Sequence, residues 1–290
     1  MNATTALSSL TDQPVLDRIA EPLSKTVRAG YESAGPVGRR LKNTLHGVWL
    51  KHPLHPVFTD LPLGAWTTGL ALDAIAARTH DRATAEAADV AIAVGLAGAA
   101  GAAITGLTDW SETSGRSRRA GLIHGLLNIT ATTLYATALV LRRRGARATG
   151  QSCALAGYTV AAGAAWLGGD LVYNQRIGVT HAVVDGPDAF TPVANASDVA
   201  EGGMKRIRHD DLDLLLVRQH GQLCALAHSC SHLGGPLSEG TLKEGSVVCP
   251  WHGSEFALAD GRVINGPATH GQPCLDVRER NGRIEVKQRG

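Results

Sequence analysis

Two Cys-and-His pairs near one end of the 290-residue chain have the residue types and spacing of metal ligands. Cys230 and His232 form the first pair, and Cys249 and His252 form the second after sixteen intervening residues. Two thiolates and two imidazoles suit a 2Fe–2S cluster in which the cysteines hold one iron and the histidines hold the other. A structural zinc ion is the alternative, although zinc sites usually group their cysteines and histidines separately.

The elements that must position these ligands are short strands separated by turns. Five segments have strand-like composition: 204–208, 212–218, 222–227, 275–279 and 283–287. The last two are joined by Asn281-Gly282, which is a strong hairpin signal. We therefore expect a compact all-β domain over residues 185–290, with the two pairs on its loops.

From about residue 191 to the end, the chain resembles Rieske domains. The resemblance rests on the four candidate ligands and on Gly234-Gly235-Pro236-Leu237, which follows the first pair. It implies a β-sandwich, a Rieske-type 2Fe–2S cluster with the cysteines on one iron and the histidines on the other, and single-electron transfer through histidines near the surface.

Departures from the high-potential members of this family predict a low-to-intermediate midpoint potential. Rieske proteins of quinol-oxidising complexes carry a disulfide across the two loops, whereas Gly235 and Trp251 stand in that neighbourhood here. Those proteins also donate hydrogen bonds to the cluster from a serine and a tyrosine. Ser254 is a candidate for the first donor, but Phe256 lacks the hydroxyl of the second. Losing a donor disfavours the reduced, more negative cluster.

The middle of the chain predicts membrane-spanning helices. Four apolar segments occur at regular spacing: 61–77, 90–107, 120–141 and 149–169. Runs of about 18 or more apolar residues are long enough to cross the hydrocarbon layer. A soluble bundle, the alternative, needs a polar face on each helix, and the last three segments lack a charged one. We therefore predict an α+β multidomain protein, in which a four-helix transmembrane bundle over 46–184 precedes the Rieske-type sandwich.

The residues ahead of this bundle are predicted to be a flexible and amphipathic segment, 1–45. A Ser/Thr-rich start, 1–13, precedes an amphipathic helix over 14–30 that lies on a membrane surface or packs on the protein. Prolines at 53, 56 and 62 predict an extended approach to the first long helix. Asp73 is expected to end that helix near water.

Residues from about 46 to 184 also resemble an uncharacterised bacterial four-helix membrane family, through the motif His52-Pro53-Leu54-His55-Pro56. Ionisable groups at membrane depth are functional candidates. His55 and His124 are the first pair to consider as axial ligands of a b-type haem. A quinone pocket is an alternative, and purely structural hydrogen bonding at the end of the bundle is another.

Charge and cysteine content predict the location. Four crossings place both ends on one side, whose loops hold eight positive residues against six opposite. This slim excess favours a bacterial inner membrane protein, multi-pass, with its Rieske domain on the cytoplasmic side. Cys153, Cys224 and Cys274 are scattered, which fits a reducing compartment. The net charge of +2 gives no indication of a nucleic-acid partner.

The sequence therefore predicts a membrane-anchored electron-transfer protein whose partners are the lipid bilayer and one or more redox proteins. It is an electron carrier or oxidoreductase component rather than a stand-alone catalyst. Two alternatives stay open: the electron-supplying component of an oxygenase, and a membrane redox sensor. The sequence names neither electron donor nor acceptor and indicates no oligomeric state.

Overall fold

The computed structural model describes residues 11–290, which form two compact units. The helical unit comprises the described residues up to Gly38 together with Leu54–Ile177, and the β unit comprises Arg39–Pro53 and Gly178–Gly290. The first ten residues of the predicted flexible terminus lie outside the described residues. The predicted boundaries after residues 45 and 184 stay predictions.

Six α-helices lie in the described part of the chain, compared with the predicted four helices of the bundle and the amphipathic helix ahead of them. They are α1 Asp17–Ser33, α2 Gly35–His46, α3 His55–Thr79, α4 Arg82–Ser111, α5 Gly115–Arg143 and α6 Arg147–Tyr173. Helix α1 confirms the helix expected over 14–30. Helices α3 to α6 contain the four apolar segments. Helices α1 and α2 are additional and precede them in the chain.

Helix α3 begins earlier than the prolines suggested. The predicted extended approach is wrong from His55 onward, because Pro56 lies in the first turn of the helix. A proline costs no hydrogen bond there, since the first amides of a helix have no intrahelical partner. Pro62 lies inside the helix and is buried. A side chain at Gly98 would collide with its ring, so a close approach of α4 accommodates it.

In helix α4 most of the buried residues are small, and several large apolar residues are exposed. In α4 the buried positions include Ala88, Gly95, Gly98 and Ala102. The exposed side chains of the same helix include Val90, Val94, Ile104 and Leu107. A helix of a water-soluble bundle instead presents charged and polar residues on its outward face.

Asp73 does not end a helix near water, which corrects the sequence expectation. It is 7% exposed and lies within α3. The buried Arg142 guanidinium donates to both carboxylate oxygens of Asp73 and, at 3.0 Å, to Asp89. Gln151 donates a further bond to Asp73 at 3.3 Å. Removing charges from water is costly, so each carboxylate depends on its arginine.

The β unit contains two antiparallel sheets within the described residues. The strands are β1 Thr191–Asn195, β2 Met204–His209, β3 Leu212–Gln219, β4 Gln222–Ala227, β5 Thr241–Lys243, β6 Ser246–Val248, β7 Glu255–Ala257, β8 Val263–Asn265, β9 Cys274–Arg280 and β10 Arg283–Gln288. One sheet has the order β1-β10-β9-β4-β3-β2 and the other β5-β6-β7-β8. The five predicted strands are β2, β3, β4, β9 and β10, all in the larger sheet.

Strand β3 is buried on both faces and forms the centre of this unit. Leu214 and Leu216 pack on one face with the aliphatic side chains of β1 and β10. Leu215 and Val217 pack on the other face, in the cluster that includes Phe256 and the two candidate cysteine ligands. The ligand loops are therefore anchored directly to a closed apolar core.

Candidate metal centre

Two loops with the same backbone geometry carry the four candidate ligands. The amide of Cys230 donates to Gly235 O at 2.8 Å, and Gly234 N donates back to Cys230 O at 2.8 Å. In the second loop Cys249 N donates to Ser254 O at 2.8 Å, and Gly253 N donates to Cys249 O at 3.1 Å. Both glycines have left-handed backbone angles, with φ of 78° and 74°, that strain other residues. The two loops thus present their cysteines in equivalent turns.

The two thiols lie buried beside each other, with Cys230 1% and Cys249 4% exposed. The hydrogen bond between the two sulfurs lowers the pKa of the Cys249 thiol to about 7 and raises the pKa of Cys230. Backbone amides of the second and third residues after each cysteine also donate to its sulfur and favour the thiolate. A side chain at Gly235 would lie 2.8 Å from the Cys249 sulfur, so glycine permits this close approach.

The two histidines meet on the side of the loops that solvent reaches. The ring centroids of His232 and His252 are 5.2 Å apart, with the planes at 88°. Both are partly exposed, in contrast to the cysteines. Burial, followed by the neighbouring His252, lowers the pKa of His232 well below its usual value. A neutral imidazole is the form that binds a metal.

This donor set fits a 2Fe–2S cluster with one iron on the buried thiolates and the other on the histidines. Within the described residues no three His, Cys, Asp or Glu side chains converge as for a single metal ion. The ligands are instead arranged two by two. The loop amides that stabilise the negative charge of the thiolates would also stabilise negative charge on the cluster sulfurs.

Ser254 and Phe256 lie in the packed core behind the ligands, and both are fully buried. The Ser254 hydroxyl oxygen accepts a bond from Ala268 N at 3.0 Å, which leaves its own O–H as a donor. Phe256 packs in the same cluster as Cys230 and Cys249 and offers no hydrogen bond. Ser254 therefore has an O–H that can donate a hydrogen bond in this core, whereas Phe256 has none.

Gln272 supports the first loop and was missed by the sequence analysis. Its side-chain oxygen accepts from Ser231 N at 3.0 Å, and its amide donates to Ala227 O at 2.7 Å and Ser229 O at 2.6 Å. The side chain is 2% exposed. An amide supplies both a donor and acceptors, as this position requires. No motif marks this glutamine in the sequence.

A second missed element is the Arg39–Pro53 segment, which belongs to the β unit although it precedes the helical hairpins in sequence. Asn43 accepts a bond from Gly266 N at 3.0 Å and donates to Asn265 at 3.2 Å. His46 is 2% exposed, and it and Lys42 are among the neighbours that lower the pKa of His232. From sequence alone these residues are predicted to belong to a flexible segment and to the start of the bundle.

The structure also brings His55 and His124 together, although they are far apart in sequence. Their ring centroids are 6.4 Å apart, with the planes at 85°. Each Nδ1 lies 2.9 Å from a main-chain carbonyl oxygen, that of Ala102 for His55 and that of Ala164 for His124.

Comparison with known proteins decides the family. Residues 189–276 match the family described as the Rieske 2Fe–2S domain. Ferredoxin CarAc of Metapseudomonas resinovorans is 32% identical over 95 residues, which cover 32% of this chain and 89% of that protein. The chain belongs to the Rieske family. Its β unit accordingly holds a Rieske-type 2Fe–2S cluster, as the sequence resemblance predicted. Residues 51–181 match the family described as predicted membrane protein (DUF2231), which confirms the second resemblance.

Other relatives share the Rieske region over part of their length. Human apoptosis-inducing factor 3 is 29% identical over 115 residues, which are 39% of this chain and 19% of that protein. The chain thus spans about a fifth of the length of that relative. A solved complex of reduced oxygenase and oxidized ferredoxin in carbazole 1,9a-dioxygenase has a chain 28% identical, with a TM-score of 0.33, covering 35% of this chain and 96% of that one.

Proposed function

We propose that the protein is a membrane-anchored electron carrier whose cluster exchanges single electrons with a soluble redox protein. Cys230 and Cys249 hold one iron, and His232 and His252 hold the other. The arrangement of the two matched loops carries this proposal, because it buries the thiolate side and leaves the imidazole side partly exposed. An electron then leaves through the histidines over a short distance. Ser254 donates a hydrogen bond to a cluster sulfur.

Membrane anchoring by four crossings, α3 to α6, is the second part of the proposal. Two of these helices, α4 and α5, have the length and mean hydropathy of membrane spans, at 2.0 and 1.3. The outward-facing Val, Leu and Ile side chains and the inward-facing small residues support contact with lipid. The proposed location is the bacterial inner membrane, with the β unit on the cytoplasmic side.

Electron transfer is tested with the full-length protein purified in detergent. The protein is reduced with dithionite, desalted without air, and mixed with oxidised cytochrome c as a one-electron acceptor. We expect one cytochrome c reduced per cluster, with recovery of the oxidised cluster absorption at the same rate. Equal reduction by a His232→Ala variant that lacks the cluster would refute transfer through this centre.

Membrane insertion and sidedness are tested in cells. A chain that spans the membrane stays in the pellet after alkaline carbonate washing, whereas a peripheral chain is released. A fusion at Gly290 distinguishes the two orientations, with green fluorescent protein active in the cytoplasm and alkaline phosphatase active outside it. Release by carbonate, or phosphatase activity at Gly290, would overturn the corresponding part of the proposal.

A second candidate function is supply of electrons to a separate oxygenase. It is favoured by likeness to ferredoxin CarAc and to the ferredoxin component of the naphthalene 1,2-dioxygenase system of Pseudomonas putida, 26% identical over 90 residues. The discriminating experiment mixes the reduced protein with the oxygenase of carbazole 1,9a-dioxygenase. Cluster oxidation that accelerates when carbazole is added supports this function, and oxidation that is unaffected by carbazole favours the general carrier.

A further inference from the structure

The helical unit is an internal duplication, in which the α3–α4 hairpin is repeated as α5–α6. Buried positions recur 69 residues later in the first helix of each hairpin: Pro62, Trp66, Gly69 and Asp73 against Ala131, Tyr135, Ala138 and Arg142. They recur 62 residues later in the second helix: Ala88, Ile92, Gly95, Ala102 and Thr105 against Gly150, Ala154, Gly157, Ala164 and Leu167. The sequence Gly-Ala-Ala-x-x-Gly occurs at 101–106 and again at 163–168.

Residues at equivalent positions of the two hairpins meet each other, as an approximate internal twofold axis requires. The Trp66 and Tyr135 rings stack with centroids 4.1 Å apart and planes at 14°. The glycines beneath them are also equivalent, since a side chain at Gly95 would strike Trp66 and one at Gly157 would contact Tyr135. About two helical turns further along each helix, the equivalent Asp73 and Arg142 form the buried ion pair.

His55 and His124 are a further pair of equivalent residues that face each other. The carbonyls that contact their Nδ1 atoms, those of Ala102 and Ala164, are equivalent too. Each imidazole edge lies over an equivalent glycine, because a side chain at Gly106 or Gly168 would come within 2.8 or 3.1 Å of the His Cε1 atom. Two copies of one local arrangement thus place two imidazoles with centroids 6.4 Å apart.

The hydrogen bonds select the tautomer of both rings. A carbonyl oxygen only accepts, so each Nδ1 carries the proton and each neutral Nε2 presents a lone pair. Metal-binding histidines are commonly oriented in this way by a carbonyl on the other ring nitrogen. The His124 Nε2 lies 3.1 Å from the Asn128 amide nitrogen, which donates to it. A quinone carbonyl needs a hydrogen-bond donor, which neither Nε2 supplies in this tautomer.

We propose that His55 and His124 would together hold a haem iron through their Nε2 atoms. Metal–imidazole bonds are about 2.0 Å long, so two imidazoles with ring centroids 6.4 Å apart are near enough to bind one iron between them. Within the described residues no third His, Cys, Asp or Glu completes a site for a bare ion, whereas haem iron brings four nitrogens of its own. Side chains on facing helices hold cofactors in this manner in other bundles.

This inference stands independently of the electron carrier proposed above, because it concerns residues of the helical unit alone. The bound haem would supply a second one-electron centre. His55 and His124 would bind its iron, the carbonyls of Ala102 and Ala164 would hold the imidazole protons, and Asn128 would release His124 Nε2.

The test is the visible spectrum of the full-length protein, expressed with added 5-aminolevulinate and purified in detergent. We expect sharp haem bands in the dithionite-reduced minus oxidised difference and about one haem per chain by the pyridine haemochrome assay. The variants His55→Ala and His124→Ala should each lose the haem while keeping the EPR signal of the cluster and the elution volume of the wild type. The matched control His80→Asn, at an exposed helix end with left-handed backbone angles, should keep both.

A conservative variant distinguishes loss of a haem ligand from loss of the fold. Because methionine also ligates haem iron and raises its potential, His124→Met should keep the haem and raise its midpoint potential. Absence of haem from the wild type, even after titration with haemin, would overturn the proposal. Equal haem content in the wild type and the His55→Ala/His124→Ala double variant would do the same and would indicate adventitious binding only. Haem retained in His55→Ala or in His124→Ala, with or without loss of the cluster, would also overturn the proposal.

Discussion

The β unit and the helical unit each bring two histidines together by using one local arrangement twice. The two rings are nearly perpendicular in both pairs, with centroids 5.2 and 6.4 Å apart. In the β unit the two copies are loops separated by sixteen residues between ligand pairs, so the motif is visible at once. In the helical unit the copies are hairpins offset by more than sixty residues. The sequence indicated His55 and His124 as candidates, but their proximity and the duplication that produces it are evident only in the structure.

The two units also orient their ligands with opposite backbone groups. Loop backbone has free N–H groups, which point at the sulfurs of Cys230 and Cys249 and favour negative charge. A helix interior has no free N–H but has carbonyls that accept a second bond, and these hold the Nδ1 protons of His55 and His124. One environment is suited to thiolates and cluster sulfurs, and the other to neutral imidazoles.

The largest expected effect is loss of the metal centre of the β unit. Cys249→Ser should abolish the cluster, because the weakly acidic serine hydroxyl is a poor substitute for a thiolate ligand. Iron and acid-labile sulfide should fall to background, and the EPR signal of the reduced cluster should disappear. Cys224→Ser is the matched control, since Cys224 is a half-buried cysteine of the same unit outside the ligand loops. Loss of the cluster in both variants would indicate a general folding defect instead of a lost ligand.

The next effect concerns the ion pair that links the two helical hairpins. Arg142→Leu leaves Asp73 buried without its counter-charge and should destabilise the helical unit by about 3–5 kcal/mol. Thermal unfolding in detergent measures the change. Arg143→Leu alters the exposed neighbour and should have little effect. The double variant Asp73→Leu/Arg142→Leu should recover much of the loss, and a double variant no more stable than Arg142→Leu would contradict the pairing.

A smaller effect tests the close packing that the duplication requires. Gly95→Ala forces a methyl group against Trp66 and should cost about 1–3 kcal/mol. Gly163→Ala places a methyl group where no atom lies within 4 Å and should be neutral or stabilising by up to about 1 kcal/mol. Both stabilities come from the same detergent unfolding experiment. Similar stabilities for the two variants would refute the packing argument.

The smallest expected effect is on the midpoint potential of the cluster. Phe256→Tyr adds a donor in the core that surrounds the cysteines and should raise the potential by about 60 mV, a tenfold change for a one-electron couple. Ser254→Ala removes a donor and should lower it by a similar amount. Redox titration monitored by EPR gives both values. Shifts in the same direction for the two variants would contradict the hydrogen-bond account.

Local signals predicted much of this molecule. The ligand loops, the Asn281-Gly282 hairpin and the positions of α3 to α6 all depend on residues close together in the chain, and the structure contains each of them. The burial of Asp73 was not predictable in this way, because its partner Arg142 is 69 residues away and lies beyond the end of the predicted segment 120–141. The roles of Asn43 and Gln272 were unpredictable for the same reason. Each accepts a hydrogen bond from a backbone amide that is distant in the sequence. The repeated Gly-Ala-Ala-x-x-Gly was the one available signal for the duplication.

The most direct test of the central claim is pulsed EPR of the dithionite-reduced full-length protein, prepared with ¹⁵N-histidine and compared with unlabelled protein. A cluster held by Cys230, Cys249, His232 and His252 should show couplings from two histidine nitrogens, and His252→Ala should remove them together with the signal. A paramagnetic iron–sulfur signal without histidine coupling, or stoichiometric zinc with no iron, would contradict the account.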